Sequence, residues 1–151
     1  MSYWYAVVVL ISTIIALSES LQVKPTCSLG YAFHHNPSVT TQLAVGILSQ
    51  PRGGRVSVSM KYLCGLEVIA GLILKDPYKP VNSTVDLQIF PMLYEEDEEG
   101  ISAEDMTKRA IQYYAPHIAR LTSATSFGCN YLVEHGRHKY LCLFKLNRPI
   151  P

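Results

Sequence analysis

The chain has 151 residues, of which 48% are hydrophobic, and its 13 basic residues nearly balance its 12 acidic residues. This length is sufficient for one domain with a substantial core. The balanced charge argues against a nucleic-acid-binding surface, and the apolar content argues against a disordered chain.

The first 20 residues are predicted to be a secretory signal peptide, and residues 21–151 are predicted to form a single domain. Residues 5–17 are an apolar stretch that is too short to span a bilayer comfortably. Ser18 and Ser20 supply small residues three and one positions before a cut after residue 20. Because the N-terminal region has no Lys or Arg, an uncleaved membrane anchor and a buried N-terminal strand are the alternatives.

The first helix of the mature chain is predicted to begin at Pro37. Asn36 is a favourable N-cap residue, and proline is well suited to the first helical position. Val39, Leu43 and Ile47 follow at helical spacing, so they would form the buried stripe of this helix.

Residues 56–75 are the most apolar segment of the mature chain. A helix that is apolar on most sides is typically buried, so a buried helix is predicted here. Gly65 and Gly71 are each unfavourable inside a helix by about 1 kcal/mol relative to Ala. Their presence therefore indicates close packing against another element.

Apolar and polar residues alternate over residues 83–93, which predicts a half-buried strand. Pro91 predicts that the far end of this strand is irregular or lies at the edge of a sheet. Asn82 begins an Asn-Ser-Thr acceptor for N-glycosylation in the predicted loop before the strand.

Residues 95–99 are all acidic and are predicted to form a solvated loop whose charge favours the start of the next helix. A calcium site is the alternative, but the block lacks the spaced ligands and central glycine of an EF-hand loop. Ser102, followed by Asp105, is predicted to cap that helix. Proline 116 is expected to end or bend the helix at Ala115. The expected inner stripe consists of Met106, Ala110, Tyr113 and Tyr114.

The last strand pair is predicted from the positions of two cysteines. If Cys129 lies opposite Cys142, His135-Gly136 becomes a two-residue loop, and glycine at its second position suits a type I′ turn. The same register places Glu134 opposite Arg137 as a cross-strand pair of opposite charge. The two cysteines then occupy a non-hydrogen-bonded pair with Cα atoms ~4.5 Å apart, which a disulfide can bridge.

All four cysteines lie beyond the predicted cut, and an even number in a secreted chain favours two disulfides. Because Cys129 is assigned to Cys142, Cys27 pairs with Cys64 by elimination. No two cysteines have the short spacing of a zinc knuckle, which disfavours a zinc site.

The candidate contact surface is a small cationic tip on this hairpin, which could contact sulfated glycans or acidic partners. It consists of His135, Arg137, His138 and Lys139. A plain solvated turn is the interpretation that the residues themselves favour, and the contact surface is the alternative to it. No metal site or cofactor is predicted, because the adjacent His34 and His35 diverge in a strand or helix. No catalytic residue is predicted, because no nucleophile elbow is present and no His or acid is placed beside a candidate serine.

The sequence resembles a known family at its cysteines. Ser126-Phe127-Gly128-Cys129 and Tyr140-Leu141-Cys142-Leu143 resemble the closing hairpin of the secreted CAP superfamily (cysteine-rich secretory, antigen 5, pathogenesis-related). The middle resembles one branch, the Eimeria-type surface antigens (SAG family) of apicomplexan parasites. The matching segments are Tyr62-Leu63-Cys64-Gly65, Phe90-Pro91-Met92-Leu93-Tyr94 and Ile111-Gln112-Tyr113-Tyr114. The chain departs from that branch in having four cysteines and not six, in being shorter, and in lacking a lipid-anchor tail.

The resemblance implies an α+β fold, an α-β-α sandwich with an antiparallel central sheet that disulfides stabilise. It implies a secreted or cell-surface, non-catalytic antigen or adhesion-type protein that contacts host-cell or parasite-surface molecules. The contact loops would be residues 49–54, 94–100 and 134–139. The first alternative is a small secreted ligand carrier or inhibitor, and a carrier would line an apolar pocket with Leu66, Ile69 and Ile73. The second is a metal-assisted hydrolase, in which His34 or His35 would approach His117 or an acid.

Overall fold

The computed structural model describes Pro25, Cys27 and residues 36–53, 55–56, 60–76 and 87–147. The predicted signal peptide, His34-His35 and the glycosylation acceptor at Asn82 lie outside these residues. The described helices are α1 (Pro37–Leu48), α2 (Cys64–Lys75) and α3 (Ala103–Ile118). The described strands are β1 (Pro51–Arg52), β2 (Arg55–Val56), β3 (Lys61–Tyr62), β4 (Ile89–Asp97), β5 (Ala124–Glu134) and β6 (Arg137–Leu146).

The closing hairpin forms the centre of a four-stranded sheet with the order β3-β5-β6-β4. Strand β4 pairs antiparallel with β6, whereas the short β3 pairs parallel with β5. Within the hairpin, Cys129 lies opposite Cys142 and Glu134 lies opposite Arg137. The predicted register is therefore confirmed at every pair that the cysteines implied. Strands β1 and β2 form a separate two-stranded hairpin within the predicted loop at residues 49–54 and just beyond it.

Helices cover both faces of this sheet. On one face, α1 and α3 pack against the larger cluster, which includes Phe127, Tyr140 and Phe144 from the hairpin. On the other face, α2 packs Leu66, Ala70 and Leu74 against the sheet residues Ile89, Leu132, Leu141 and Leu143. Alternate residues of each hairpin strand thus serve the two layers, as the two-residue period of a strand requires. The α-β-α sandwich is confirmed.

Two helix starts were predicted correctly from their capping residues. The Asn36 side chain accepts a hydrogen bond from the Ser38 amide at 3.0 Å. Ser102 accepts one from the Asp105 amide at 3.1 Å at the start of α3. Helix α3 does not end at Ala115, because it continues through a proline to the fully buried Ile118.

The inner stripe of α3 was predicted correctly except at one position. Met106, Ala110 and Tyr114 are fully buried, but Tyr113 is 49% exposed. Tyr113 instead lies at the boundary between the buried and the exposed side of α3, where its ring contacts Tyr94 at a centroid distance of 5.3 Å.

The predicted helix over residues 56–75 is shorter and less buried than expected. It begins at Cys64, because β2 and β3 occupy Arg55–Val56 and Lys61–Tyr62. Among the described residues α2 packs with one side on the sheet, so Ile69 and Leu72 on its outer side remain 37% and 40% exposed. The expectation of burial on most sides is wrong for this reason.

The strand predicted over residues 83–93 is confirmed over residues 89–93, and residues 83–86 lie outside the described part of the chain. Strand β4 begins at Ile89, after a turn at residues 87–88, and it continues to Asp97. Glu95, Glu96 and Asp97 therefore belong to a strand and not to a solvated loop. The reason is their register, since these three acids lie opposite Lys139, His138 and Arg137 of β6. Pro91 lies in the edge strand of the sheet, as predicted.

Both predicted disulfides are present. Cys27 and Cys64 have Cα atoms 5.4 Å apart, and Cys129 and Cys142 have Cα atoms 4.1 Å apart. The second bridge is fully buried on the face covered by α1 and α3. None of the helices that the structure describes is long and apolar enough to cross a membrane.

Candidate functional site

The tip of the closing hairpin is a tight turn that a neighbouring loop encloses. His135 and Gly136 have φ angles of 49° and 79°, so both occupy the left-handed region that a type I′ turn requires. The Gly136 carbonyl accepts a hydrogen bond from the Glu98 amide at 3.3 Å. A Cβ atom on Gly136 would lie 2.8 Å from Cγ of Glu99. Glycine is thus favoured here by its backbone conformation, and it also lets the side chain of Glu99 approach the turn closely.

Arg137 fixes the hairpin to the end of β4. Its guanidinium donates two hydrogen bonds to Asp97, at 2.7 and 2.9 Å. These hydrogen bonds are the main reason that the pKa of Asp97 lies below its ordinary value, and they raise the pKa of Arg137. The expected ion pair between Glu134 and Arg137 is therefore wrong in its partner, although the register is right. Glu134 instead lies 3.9 Å from the ammonium group of Lys139.

An open cleft of about 510 Å³ lies beside this turn. It is lined by Asp97, Glu98, Glu99, Glu134, His135, Gly136, Arg137 and Lys139. Four of these side chains are acidic and two are basic, so the lining carries two more negative than positive charges. Three of the residues predicted for a cationic tip are present, but the four acids of the lining outnumber its two basic residues.

His138 does not belong to the contact surface that was predicted from the sequence. It is only 4% exposed, because residues 137 and 139 point to one face of the sheet and His138 points to the other. It lies opposite Glu96 in the pairing of β4 with β6. Its Nδ1 atom is buried and has no hydrogen-bond partner among the described residues.

A second ionic cluster joins β4 to helix α3 close to the cleft. Arg109 donates a hydrogen bond to Glu96 at 2.7 Å and another to Glu98. Tyr94 also donates to Glu96, and this hydrogen bond is the main cause of the lowered pKa of Glu96, with Arg109 acting in the same direction. The pKa of Tyr94 rises to about 12, chiefly through burial and then through this carboxylate. The cluster holds the loop after β4 in place and so shapes one wall of the cleft.

Sequence reasoning placed the acids of this site in a contact loop, but it missed their pairing with β6 and the role of Arg109. The signal was available, because three consecutive acids in β4 match the basic sequence at residues 137–139 if the two strands are antiparallel. It was overlooked because a run of five acids is typical of a solvated loop.

The apolar carrier pocket is not assembled by the described residues, and the hydrolase alternative depends on His34-His35, which lie outside them. Leu66 is buried against the sheet and Ile69 is 37% exposed, so they do not line one apolar pocket. His117 is exposed and stacks on Tyr113 with ring centroids 5.6 Å apart. In the part of the chain that the structure describes, no three His, Cys, Asp or Glu side chains could hold a metal ion.

A buried polar group supports the hairpin from the side of α2. The carboxylate of Glu67 is 5% exposed and accepts a hydrogen bond from the Tyr62 hydroxyl at 2.6 Å. Burial, followed by this carboxylate, raises the pKa of Tyr62. The same hydroxyl lies 3.3 Å from the amide of Cys129, so this group connects the helix to the disulfide-bearing strand.

Comparison with known proteins supports this architecture. A protein-family model described as "Ancylostoma-associated secreted protein related" (ASPR) matches residues 27–144, which include all four cysteines. No curated protein matches the chain. The match supports the CAP-like part of the resemblance and does not support the coccidian surface-antigen branch.

Three solved structures illustrate the similarity. The Ancylostoma-secreted protein Ac-ASP-7 is 19% identical with a TM-score of 0.55, and the alignment covers 81% of this chain and 73% of that chain. Manganese-bound Ac-ASP-7 is 20% identical with a TM-score of 0.49, covering 82% and 74%. NaASP2 with Zn²⁺ is 12% identical with a TM-score of 0.45, covering 72% and 75%. The similarity to the first of these structures agrees with the fold described above.

Proposed function

Because this chain belongs to the Ancylostoma-associated secreted protein related family, we propose that it is a secreted, non-catalytic contact protein. In this proposal the sandwich is a rigid support, and the cleft at the hairpin tip meets a molecule on a host-cell or parasite surface. The family description, which refers to secreted proteins, supports the extracellular location.

The observation that carries the proposal is the construction of the tip. A type I′ turn, the buried disulfide and the bidentate pair of Arg137 with Asp97 hold charged groups in fixed positions at the surface. Side chains that are already ordered lose less entropy on binding, so a preorganised tip favours recognition. Glu134 and Asp97 are more than half exposed in their side chains, so a partner could reach them.

The test is the binding of the labelled, secreted full chain to a panel of intact animal cells, measured by flow cytometry. Glu134→Lys reverses one exposed charge in the cleft lining. Lys145→Glu reverses an exposed charge near the other end of β6, roughly 27 Å away at the rise of a strand, and serves as the matched control. We expect Glu134→Lys to weaken binding about fivefold or more, since a lost interfacial charge contact of ~1 kcal/mol has this effect.

Two outcomes would overturn the proposal. In the first, the wild-type chain binds none of the cells. In the second, wild type, Glu134→Lys and Lys145→Glu bind equally well. Circular dichroism of both variants checks that the sheet is intact, so that a loss of binding reflects the surface and not unfolding.

A further inference from the structure

The outer edge of β4 presents backbone groups whose direction follows from the hairpin. In a two-residue hairpin the pair that flanks the loop is hydrogen-bonded, and the pair types alternate from there. Glu134 and Arg137 are that pair. Odd-numbered residues of β6 therefore direct their amide and carbonyl groups to β5, and even-numbered residues direct theirs to β4.

The same alternation orients the residues of β4. His138 lies opposite Glu96 and Tyr140 lies opposite Tyr94, so the even-numbered residues of β4 bond to β6. Odd-numbered residues, from Ile89 to Asp97, then turn their amide and carbonyl groups outwards. Pro91 agrees with this pattern, because it has no amide hydrogen and occupies an outward position.

The two long edges of the sheet differ in how these groups are treated. Beyond β3, side chains close the edge of β5, since the Tyr62 hydroxyl lies 3.3 Å from the Cys129 amide and Asn130 accepts from the Tyr131 amide at 2.9 Å. At the edge of β4, the outward groups of Leu93 and Glu95 have no partner among the described residues. An unpaired edge of this kind is a ready template for another strand.

The side chains along the open edge indicate the chemistry of the strand that would fit it. Leu93 is 48% exposed, and Glu95 is also exposed. Strand β4 contains three acids and no basic residue. Glu96 pairs with Arg109 and Asp97 pairs with Arg137, so Glu95 is the acid of the strand whose charge has no ion-pair partner within 4 Å among the described residues. Opposite charges on neighbouring strands are favourable and like charges are unfavourable. A second copy of this chain would bring its own acids to the same edge, which disfavours self-pairing.

We propose that the outer edge of β4, from Leu93 to Asp97, is a docking site for an extended, basic segment of a partner protein. The segment adds to the sheet as a further strand next to β4. Its backbone pairs with the outward groups of Leu93 and Glu95, and its basic side chains lie near Glu95. This surface adjoins the cleft at the hairpin tip and shares Asp97 with it. Because the pairing uses the backbone groups of Leu93 and Glu95, which do not line the cleft, the proposal goes beyond the function proposed above.

The probe is a short acetylated peptide of alternating valine and lysine, with a valine–glutamate peptide of the same length as its control. Binding to the full chain is measured by calorimetry. Two variants distinguish the contribution of backbone hydrogen bonding to peptide binding from the contribution of side-chain charge. Glu95→Pro removes the outward amide without disturbing the bonds to β6, as Pro91 already shows, and Glu95→Ala removes only the charge.

We expect the lysine peptide to bind and the glutamate peptide not to bind. Glu95→Pro should weaken binding about tenfold or more, because a lost backbone bond and a steric block together exceed ~1.4 kcal/mol. Glu95→Ala should weaken it about two- to fivefold, as expected for one exposed charge. Hydrogen exchange should show that the peptide protects the amides of Leu93 and Glu95.

Three results would overturn the proposal. The first is that Glu95→Pro and Glu95→Ala weaken peptide binding equally, which would show that charge attraction alone accounts for the binding. The second is a lysine peptide that does not bind to the wild-type chain. The third is a chain that dimerises in sedimentation experiments and becomes monomeric with Glu95→Pro, since the edge would then take a second copy. The Glu134→Lys variant changes the hairpin tip and not the edge of β4. Its effect on cell binding therefore tests the proposed function independently of these three results.

Discussion

Replacement of Gly128 by alanine should strongly destabilise the protein. A Cβ atom at this position of β5 would lie 2.5 Å from the backbone nitrogen of Glu67 and 2.7 Å from the carbonyl oxygen of Leu63. Both contacts are with backbone in the first turn of α2, so no side-chain rotation can relieve them. The start of the helix is also tied to β5, because the Leu63 amide donates to the Phe127 carbonyl at 2.8 Å.

The size of the effect follows from the distance that the helix must move. Ordinary carbon contacts lie near 3.5–4 Å, so α2 and β5 must separate by roughly 1 Å. Overpacking of this kind typically costs 1–3 kcal/mol, and backbone contacts favour the upper part of that range. We therefore expect Gly128→Ala to lose about 2–3 kcal/mol of unfolding free energy, or roughly 10 °C in the unfolding midpoint for a domain of this size.

The assay is urea and thermal unfolding followed by circular dichroism, with both disulfides kept oxidised. Gly65→Ala is the matched control, because it makes the same chemical change in α2 and a Cβ atom there meets nothing within 4 Å among the described residues. It should stabilise the protein by up to about 1 kcal/mol through helix propensity. If the unfolding free energy of Gly128→Ala lies within about 0.5 kcal/mol of the wild-type value, close packing of α2 on β5 does not restrict this position.

Three further predictions concern the hairpin. Replacing both Cys129 and Cys142 by alanine should cost about 3 kcal/mol in the chain-entropy model, because the bridge joins residues 13 apart in sequence; urea unfolding measures this loss. His135→Asn should stabilise the turn by a few tenths of a kcal/mol, because asparagine before Gly136 suits a type I′ turn better than histidine; thermal unfolding measures the gain. Burial raises the pKa of Tyr140 to about 12. The contribution of its neutral phenol to stability is therefore complete below the unfolded pKa near 10 and is lost as the pH rises towards 12. Tyrosinate absorbance measures this pKa, and unfolding at alkaline pH measures the loss of stability.

Each of these predictions has a control and an outcome against it. The reduced wild type is the control for the cysteine variant, because it also lacks the bridge, and a variant as stable as the oxidised wild type would contradict the contribution of the bridge. His135→Ala controls for loss of the imidazole, and an asparagine variant no more stable than it would contradict the turn argument. The Tyr140→Phe variant should lose part of the alkaline transition, and an unchanged transition would assign it to other tyrosines.

Local signals predicted those parts of the fold in which neighbouring residues determine the geometry. The hairpin register followed from two cysteines, a glycine and the loop length, which agreed on one pairing. The start of α1 followed from Asn36 and Pro37, which act within one helical turn. Both features can be predicted without knowing which other elements pack against them.

Errors arose where distant residues determine the structure. Glu95, Glu96 and Asp97 are in a strand because β6 lies beside them, and a local pattern of acids contains no information on that neighbour. The outer side of α2 is exposed because the sheet covers only one side of it, and apolar content alone does not show which side is covered. The burial of His138 was also missed, but this error was avoidable, because the two-residue alternation along β6 was sufficient to predict it.

The position of the hairpin within the chain has a consequence for biosynthesis. Both core clusters require side chains from β5 and β6, and these strands come after all three helices described here. A polypeptide that emerges from the ribosome N-terminus first must therefore wait for residues 124–146 before either layer of helices has a sheet to cover. For the exported protein proposed above, the bridge between Cys129 and Cys142 likewise forms only after this last segment has entered an oxidising compartment.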